Sequence, residues 1–230
     1  MRQELLSKEA SEIHGMFGRI AHRYDLLNRV LSLGRDVGWR KKVAQRVAAA
    51  RPERVLDVCT GTADLALSLD ATTVIGVDFC LPMLGVAQTK VSSRGRSVPL
   101  CAADALRLPI DDAEVDVVTV AFGIRNFADL DAGLAELARV LRPGGTMLVL
   151  EFSRPQGPLA PLLEWWVRNI PPRVGRLLSG DAEAYTYLPA SVSTFAEGSE
   201  LCWALEAAGL TNVAAQRLTG GVASLYQGTR

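Results

Sequence analysis

The chain has 230 residues, 49% of them hydrophobic, enough for one full α/β core with little left for a second domain. Its formal net charge is zero, with 25 basic against 25 acidic residues, which argues against a nucleic-acid binder that relies on a generally basic surface. Four cysteines without a C-x-x-C pair and only two histidines, His14 and His22, supply neither a zinc centre nor a disulfide framework.

No apolar run of about 18 residues occurs, and the N-terminal stretch 1–9 has no apolar signal core, so a cytoplasmic protein is expected. Residues 3–16 and 18–31 are predicted helices, with Phe17, Ile20, Tyr24, Leu27, Val30 and Leu31 on one face. Polar groups of the stretch 23–28, Arg-Tyr-Asp-Leu-Leu-Asn, interrupt that face. A third helix over 36–49 turns Val37, Val43 and Val47 inward and Arg40, Lys41, Lys42 and Arg46 outward, and Arg51-Pro52 ends it. Residues 1–51 hold 11 Lys/Arg against 5 Asp/Glu, leaving 14 against 20 for the remainder, +6 and −6. This basic segment is either a solvated helical face or a surface that meets anionic lipid headgroups, at about 1 kcal/mol per basic residue.

Residues 55–65, Val-Leu-Asp-Val-Cys-Thr-Gly-Thr-Ala-Asp-Leu, are the focus of the chain. Val55, Leu56 and Val58 predict a strand, Gly61 a tight turn, and the spacing of Leu65 and Leu69 a helix. In an open parallel sheet the ligand crevice lies outside the carboxyl ends of the strands, so Asp57 and the turn at 59–63 are expected to line it. A second strand, 74–78, ends in Asp78, one βα repeat later, where a ribose-binding carboxylate belongs. Cys59 and Ala63 replace glycines that a pyrophosphate-binding turn needs, and no Gly-Lys-Ser/Thr follows Gly61. A ribose-binding acid beside a phosphate-poor turn suits S-adenosylmethionine; the alternative is a βαβ unit without a ligand.

Farther on, 81–91 is helical, 98–102 a third strand leading to Asp104-Ala105, and 114–121 a β-branched fourth strand followed by the stretch 122–127, Phe-Gly-Ile-Arg-Asn-Phe. Leu130, Leu134, Leu137 and Leu141 stack on one helical face, Asp129 and Asp131 favour its N-terminus, and Pro143-Gly-Gly145 stops it. Residues 146–152 form a fifth strand, so alternation through 152 implies a doubly wound sheet. Six of the eleven prolines and Trp165-Trp166 fall in 153–190, which suggests an insertion over the crevice. A helix at 197–208 and strands 211–218 and 221–227 follow, and strands joined so tightly must be antiparallel. The expected class is α/β, a Rossmann-like class I S-adenosylmethionine-dependent methyltransferase fold, with a mostly parallel seven-stranded sheet and a C-terminal antiparallel hairpin. One domain is expected, divided into an N-terminal helical cap (1–51), a cofactor-binding βα core (52–152), a substrate-side insertion (153–195) and a C-terminal helix and hairpin (196–230).

The stretches 16–28 (Met-Phe-Gly-Arg-Ile-Ala-His-Arg-Tyr-Asp-Leu-Leu-Asn), Trp39-Arg40, 55–67, Asp78 through Met83-Leu84, 104–109 and 121–126 (Ala-Phe-Gly-Ile-Arg-Asn) carry a resemblance. So do 139–145, 150–153, 185–189 (Tyr-Thr-Tyr-Leu-Pro) and 218–222. Together they resemble the quinone-ring C-methyltransferases of menaquinone and ubiquinone biosynthesis over nearly the whole chain. The resemblance implies transfer of a methyl group from S-adenosylmethionine to demethylmenaquinol; the alternatives are a dual-pathway or ubiquinone-precursor enzyme and a non-catalytic cofactor-binding accessory protein. It implies cofactor contacts from Thr62, Asp78, Asp104 and Ala105, to which the crevice argument adds Asp57 and Gly61. Asp104 is also placed to cap a helix. Ubiquinone-pathway relatives have a more glycine-rich turn and a serine where this chain has Ala121, which tilts the substrate to the menaquinone side.

The sulfonium methyl is already activated, so the protein must align the ring carbon and raise its nucleophilicity. Ionising the neighbouring ring hydroxyl, near pKa ~10, does the latter. Arg125 is the candidate for stabilising that anion or positioning a water, since a guanidinium is no simple base. Asn126 can orient a ring oxygen; Tyr24, Asp25 and Asn28 cap the other side, with Asp25 a proton acceptor. The plainer readings are an Arg125–Asp129 ion pair and a core Tyr24. Residues 159–170 are a tunnel wall, a membrane-interface contact for the isoprenoid tail, or ordinary packing. Expected partners are the prenylated quinol, the inner membrane face as a peripheral contact, and a second copy in a homodimer.

Overall fold

A computed structural model of the chain describes residues 10–158, 160–166, 169, 191–192 and 195–230. Five parallel strands, β1 (Arg54–Val58), β2 (Thr73–Asp78), β3 (Leu100–Ala102), β4 (Val115–Ala121) and β5 (Leu141–Phe152), form a sheet with the hairpin of β6 (Thr211–Leu218) and β7 (Ala223–Thr229). The order is β3-β2-β1-β4-β5-β7-β6, with β7 antiparallel to both neighbours. The mostly parallel sheet and its antiparallel end are as the sequence predicts. Leu56 stands opposite Ile75 and Val118 in the central register. β1 and β4 read as almost continuous apolar runs because both faces of the sheet are covered.

Among the described residues the main helices are α1 (Ala10–Ile20), α2 (Tyr24–Leu31), α3 (Arg35–Ala50), α4 (Leu81–Ser93), α5 (Leu130–Val140) and α6 (Ser199–Ala207), and 160–166 are helical as well. Val43 and Val47 of α3 and Ala87 and Val91 of α4 pack with Val55, Val74 and Val117 on one face. Leu134 and Leu137 of α5 and Leu201 and Leu205 of α6 pack with Leu56, Val58 and Val118 on the other. The chain runs outward from β1 through β3, then returns to β4 on the opposite side of β1. That reversal opens the crevice beyond the carboxyl ends of β1 and β4.

Several local expectations are corrected. The break expected at residue 17 falls instead at Ala21–Arg23, a single 3₁₀ turn, which lets Phe17 and Tyr24 meet edge to face at 6.0 Å while Ala21 packs against Cys80 and Met83. No α-helix follows β1: Leu65, Ala66, Leu67 and Leu69 are all buried, with Ser68 alone exposed between them, and only the 3₁₀ turn Ala66–Ser68 forms. On α3 the buried stripe is Asp36, Trp39, Arg40, Val43 and Val47, with Val37 51% exposed; Arg40 turns in because Asp36, one turn earlier, pairs with it. Helix α5 ends at Val140 and Leu141 already belongs to β5, so Pro143-Gly-Gly145 forms an irregularity inside the strand. No helix follows Asp104 for it to cap; it closes a turn by accepting the Leu106 N–H at 2.9 Å. Most of the insertion 153–195, including 170–190, lies outside the described residues.

Candidate active site

The turn after β1 is held from below. Cys59, Gly61 and Ala63 all take the left-handed conformation, with φ of 56°, 55° and 65°, at real cost for the two residues that carry a side chain. The Thr60 N–H donates to the Val77 carbonyl at 3.0 Å and locks the turn to β2. Asp57 is buried beneath, where its two carboxylate oxygens accept from the hydroxyls of Thr119 (2.6 Å) and Thr60 (2.7 Å). Burial pushes its carboxyl up to about 6, against the hydroxyl bonds and the charge of Arg40. Asp57 therefore braces the turn and does not line the open crevice.

Asp78, at the end of β2, accepts the Gly61 N–H on Oδ2 and the Cys80 N–H on Oδ1, each at 2.8 Å. These bonds fix a carboxylate at the lip of the crevice, against the turn. Ala105 is buried with Leu56, Val77 and Val120, whereas Asp104 is exposed at the surface end of β3. Asp78, Gly61, Asp104 and Ala105 thus lie along the carboxyl edge of β1, β2 and β3.

The N-terminal helices close over this edge through an ionic cluster. Thr62 Oγ1 donates to Asp25 Oδ1 at 2.6 Å, and Lys90 Nζ of α4 pairs with Asp25 Oδ2 at 2.6 Å and Asp64 Oδ1 at 2.5 Å. Lys90 also donates to the Thr62 hydroxyl and carbonyl, and Arg29 lies 3.6 Å from Asp64. Although burial pulls the Asp64 carboxyl up, Lys90 leads the contacts that hold it below the ordinary range. With both oxygens engaged, Asp25 ties helix α2 to the turn and is poorly placed as the free base expected of it. Tyr24, one residue earlier, packs with Phe17, Cys80 and Met83, and burial raises its hydroxyl against the bond to Asn28 and the charge of Arg125.

The second half of the site follows β4. Gly123 touches the turn after β1: a Cβ there would stand 2.3 Å from the Cys59 Cβ, so only glycine lets the two loops meet. Ile124–Asn126 form a 3₁₀ turn that brings Arg125 over the end of β5. Its Nη1 donates to the Phe122 carbonyl at 2.6 Å and to Glu151 Oε1 at 2.7 Å. The partner is Glu151 and not Asp129, which instead caps α5 by accepting the Ala132 N–H. Phe122 and Phe152 lie with centroids 4.4 Å apart, the Arg40 guanidinium over the first and the Arg125 guanidinium over the second. Asn126 is half-buried at the end of that turn.

The Arg125 guanidinium favours the charged form of the Tyr24 phenol, against the burial that raises it. Sequence reasoning missed Glu151, Lys90 and Asp64. Glu151 carried a signal, a lone acid in the apolar run 147–152; Lys90, on a helix with no marked polar stripe, carried none.

The profile of the ubiE/COQ5 methyltransferase family matches residues 5–230. The chain belongs to that family. It is 45% identical over 95% of its length to the demethylmenaquinone methyltransferase of Deinococcus radiodurans, 92% of which is covered. It is 43% identical to a ubiquinone/menaquinone biosynthesis C-methyltransferase of Syntrophotalea carbinolica, over 94% of this chain and 92% of that one. Among solved structures, a SAM-dependent methyltransferase of Thermotoga maritima, described as a possible histamine N-methyltransferase, superposes with TM-score 0.63. It is 18% identical and covers 94% of this chain and 98% of its own. The fold is therefore that of the S-adenosylmethionine-dependent methyltransferases, and this member of the ubiE/COQ5 family is a methyltransferase.

Proposed function

We propose that the protein transfers the methyl group of S-adenosylmethionine to a ring carbon of demethylmenaquinol. The observation that carries this reading is the 45% identity, across 95% of the chain, to a protein named for that reaction. The crevice supports it. Asp78 presents a carboxylate for the ribose hydroxyls, and Gly61, Thr62, Asp104 and Ala105 complete the cofactor edge, with Asp57 bracing the turn from beneath. No basic side chain of the turn is free for a phosphate: Lys90, the ammonium beside it, is bonded to Asp25, Asp64 and Thr62. The cofactor supplies an activated methyl on sulfur. The chain supplies alignment and electrostatics: Arg125 stabilises the ring oxygen anion, while Asn126 and Tyr24 orient the ring.

Labelled methyl transfer from S-adenosylmethionine to demethylmenaquinol tests the proposal, with the demethylated ubiquinone precursor in parallel. Labelling of the first alone supports it. Labelling of both favours the dual-pathway reading, to which the name of the Syntrophotalea relative lends weight. Cofactor binding with neither acceptor labelled overturns the acceptor assignment.

The same reading includes a peripheral membrane contact, since the substrate carries an isoprenoid tail. Leu26, Leu33 and Val37 are exposed on the N-terminal segment beside Arg29, Arg35 and Lys41, the composition of an interfacial surface. No described helix is long and apolar enough to cross a membrane. Flotation with anionic but not neutral liposomes is expected; equal recovery with both removes the electrostatic part. A homodimer is also proposed, and sedimentation measures it.

A further inference from the structure

The Arg125–Glu151 pair is nearly dry, with side chains 4% and 1% exposed, yet it is incompletely satisfied. Glu151 Oε1 accepts from Arg125 Nη1 and from the Phe152 N–H at 2.8 Å. Glu151 Oε2 and Arg125 Nε are buried with no hydrogen-bond partner among the described residues. Orphaned atoms on two buried charges are costly and call for a physical reason. What Oε2 wants is a donor, what Nε–H wants is an acceptor, and hydroxyl groups supply both. The pair sits at the carboxyl ends of β4 and β5, and the glycine contact at Gly123 brings it against Cys59 of the cofactor turn. Among the described residues, the titratable groups facing the carboxyl are the Arg125 guanidinium, from the loop after β4, and the Cys59 thiol, from the turn after β1, with the backbone of Arg125 and Phe152 also favouring its charged form. Burial raises Glu151 above the ordinary carboxylate range, with Arg125 opposing, which brings the acid closer to the basicity that proton transfer needs.

We propose that Glu151 is the proton acceptor of the reaction: its Oε2 takes the proton of the ring hydroxyl beside the target carbon, directly or across one water, while Arg125 remains bonded to Oε1. This rests on the acceptor reading given above. The ring O–H bond breaks and its electron pair stays on oxygen, so the ring carries a phenolate and Glu151 the proton. The ring carbon gains the methyl as the carbon–sulfur bond breaks with its pair on sulfur. The methylated carbon then loses its hydrogen as a proton to solvent, the ring regains aromaticity, and the ring oxygen recovers the proton held by Glu151. One proton is released per methyl transferred. Arg125 keeps the charge that stabilises the oxygen, and Glu151, not Asp25, handles its proton.

Glu151→Gln keeps the shape and the bond to Arg125 but cannot accept a proton. Turnover with demethylmenaquinol near pH ~7 is expected to fall by roughly 100-fold or more, with affinity for S-adenosylmethionine unchanged. The loss shrinks as pH rises toward ~10, where the ring hydroxyl ionises unaided. Full turnover in the variant, or a loss of the same size at every pH, overturns the proposal. If Glu151→Gln does not fold, the wild-type profile decides: turnover is expected to fall on the acid side as Glu151 is protonated, a limb that Glu151→Asp retains. A flat wild-type profile from pH ~5 to ~9 overturns the assignment. If wild-type protein labels no demethylmenaquinol, the acceptor reading itself falls, and the ring-hydroxyl assignment with it.

Discussion

Two charged clusters, one joining α2 and α4 to the turn after β1 and the other at the ends of β4 and β5, are built on opposite principles. The cluster of Asp25, Lys90, Asp64 and Arg29 is networked and partly wet, with the Lys90 side chain 21% exposed and Asp25, Asp64 and Lys90 each answered by more than one partner. The Arg125–Glu151 pair is a single dry contact with one orphaned atom on each side. The wet network shares its energy among several contacts that solvent and salt can weaken. The dry pair concentrates its charge–charge attraction in one contact, unscreened, in surroundings where losing either partner strands the other. The first suits a tie that must release when the cofactor is exchanged, and the second suits chemistry that must exclude water.

The sharpest way to break the comparison is Arg125→Met. It strands the Glu151 carboxyl, and a loss of about 3–5 kcal/mol in urea unfolding is expected. Arg125→Met with Glu151→Leu should recover most of that stability, because an apolar replacement of a buried pair is often neutral or better. Methyl transfer should remain down by roughly 10²–10³-fold in both variants, as when an oxyanion donor is removed. If activity returned along with stability, the pair would be packing and not machinery.

Asp57 is a third design, a buried carboxylate hydrogen-bonded by two hydroxyls, with no ion pair to a basic side chain among the described residues and only the more distant charge of Arg40 in its favour. Its folded value, about 6, lies above the ordinary 3.8, so the folded state binds this proton more tightly than the unfolded chain between those values. Its contribution therefore favours folding at the acid end of that window and is lost as pH rises through about 6, a swing of about 3 kcal/mol. Asp57→Asn has no proton to lose. Relative to the wild type it should gain about that much in urea unfolding between pH ~4 and ~7. Parallel pH curves for the two proteins would show that Asp57 is not desolvated in solution.

The parallel strands and hairpin were legible because continuous apolar runs and the tight Gly220-Gly221 junction leave few alternatives. The end of β2 was legible for a related reason: Asp78 closes the strand at a spacing set by one βα repeat. What escaped was decided by tertiary partners. The Leu65 and Leu69 spacing predicts a helix, but Ala66 and Leu67 are buried as well, and a run with four of its five residues buried does not hold an amphipathic helical face. Arg40 reads as an outward charge until Asp36 and the Phe122 ring are found beneath it. The partner of Arg125 lies 26 residues away on another strand, and Lys90 meets Asp25 only because α1 and α2 fold back over α4. Pattern reaches along one element; these contacts cross several.

The smallest expected effect belongs to the wet cluster and tests whether it is a tie. Lys90→Met removes the ammonium from Asp25, Asp64 and Thr62 at once. Exposed or half-exposed pairs contribute about 0.2–1 kcal/mol each, so S-adenosylmethionine binding should weaken by roughly 5-fold, with little change in maximal turnover once cofactor saturates. The informative reading is the salt series. Wild-type affinity should decline as ionic strength rises, because screening reaches partly exposed charges, whereas the variant, having lost the cation at the centre, should be nearly flat. A wild-type affinity indifferent to salt would mean that the cluster is as rigid as the dry pair, and the N-terminal helices would then be a fixed wall of the crevice and not a releasable cap.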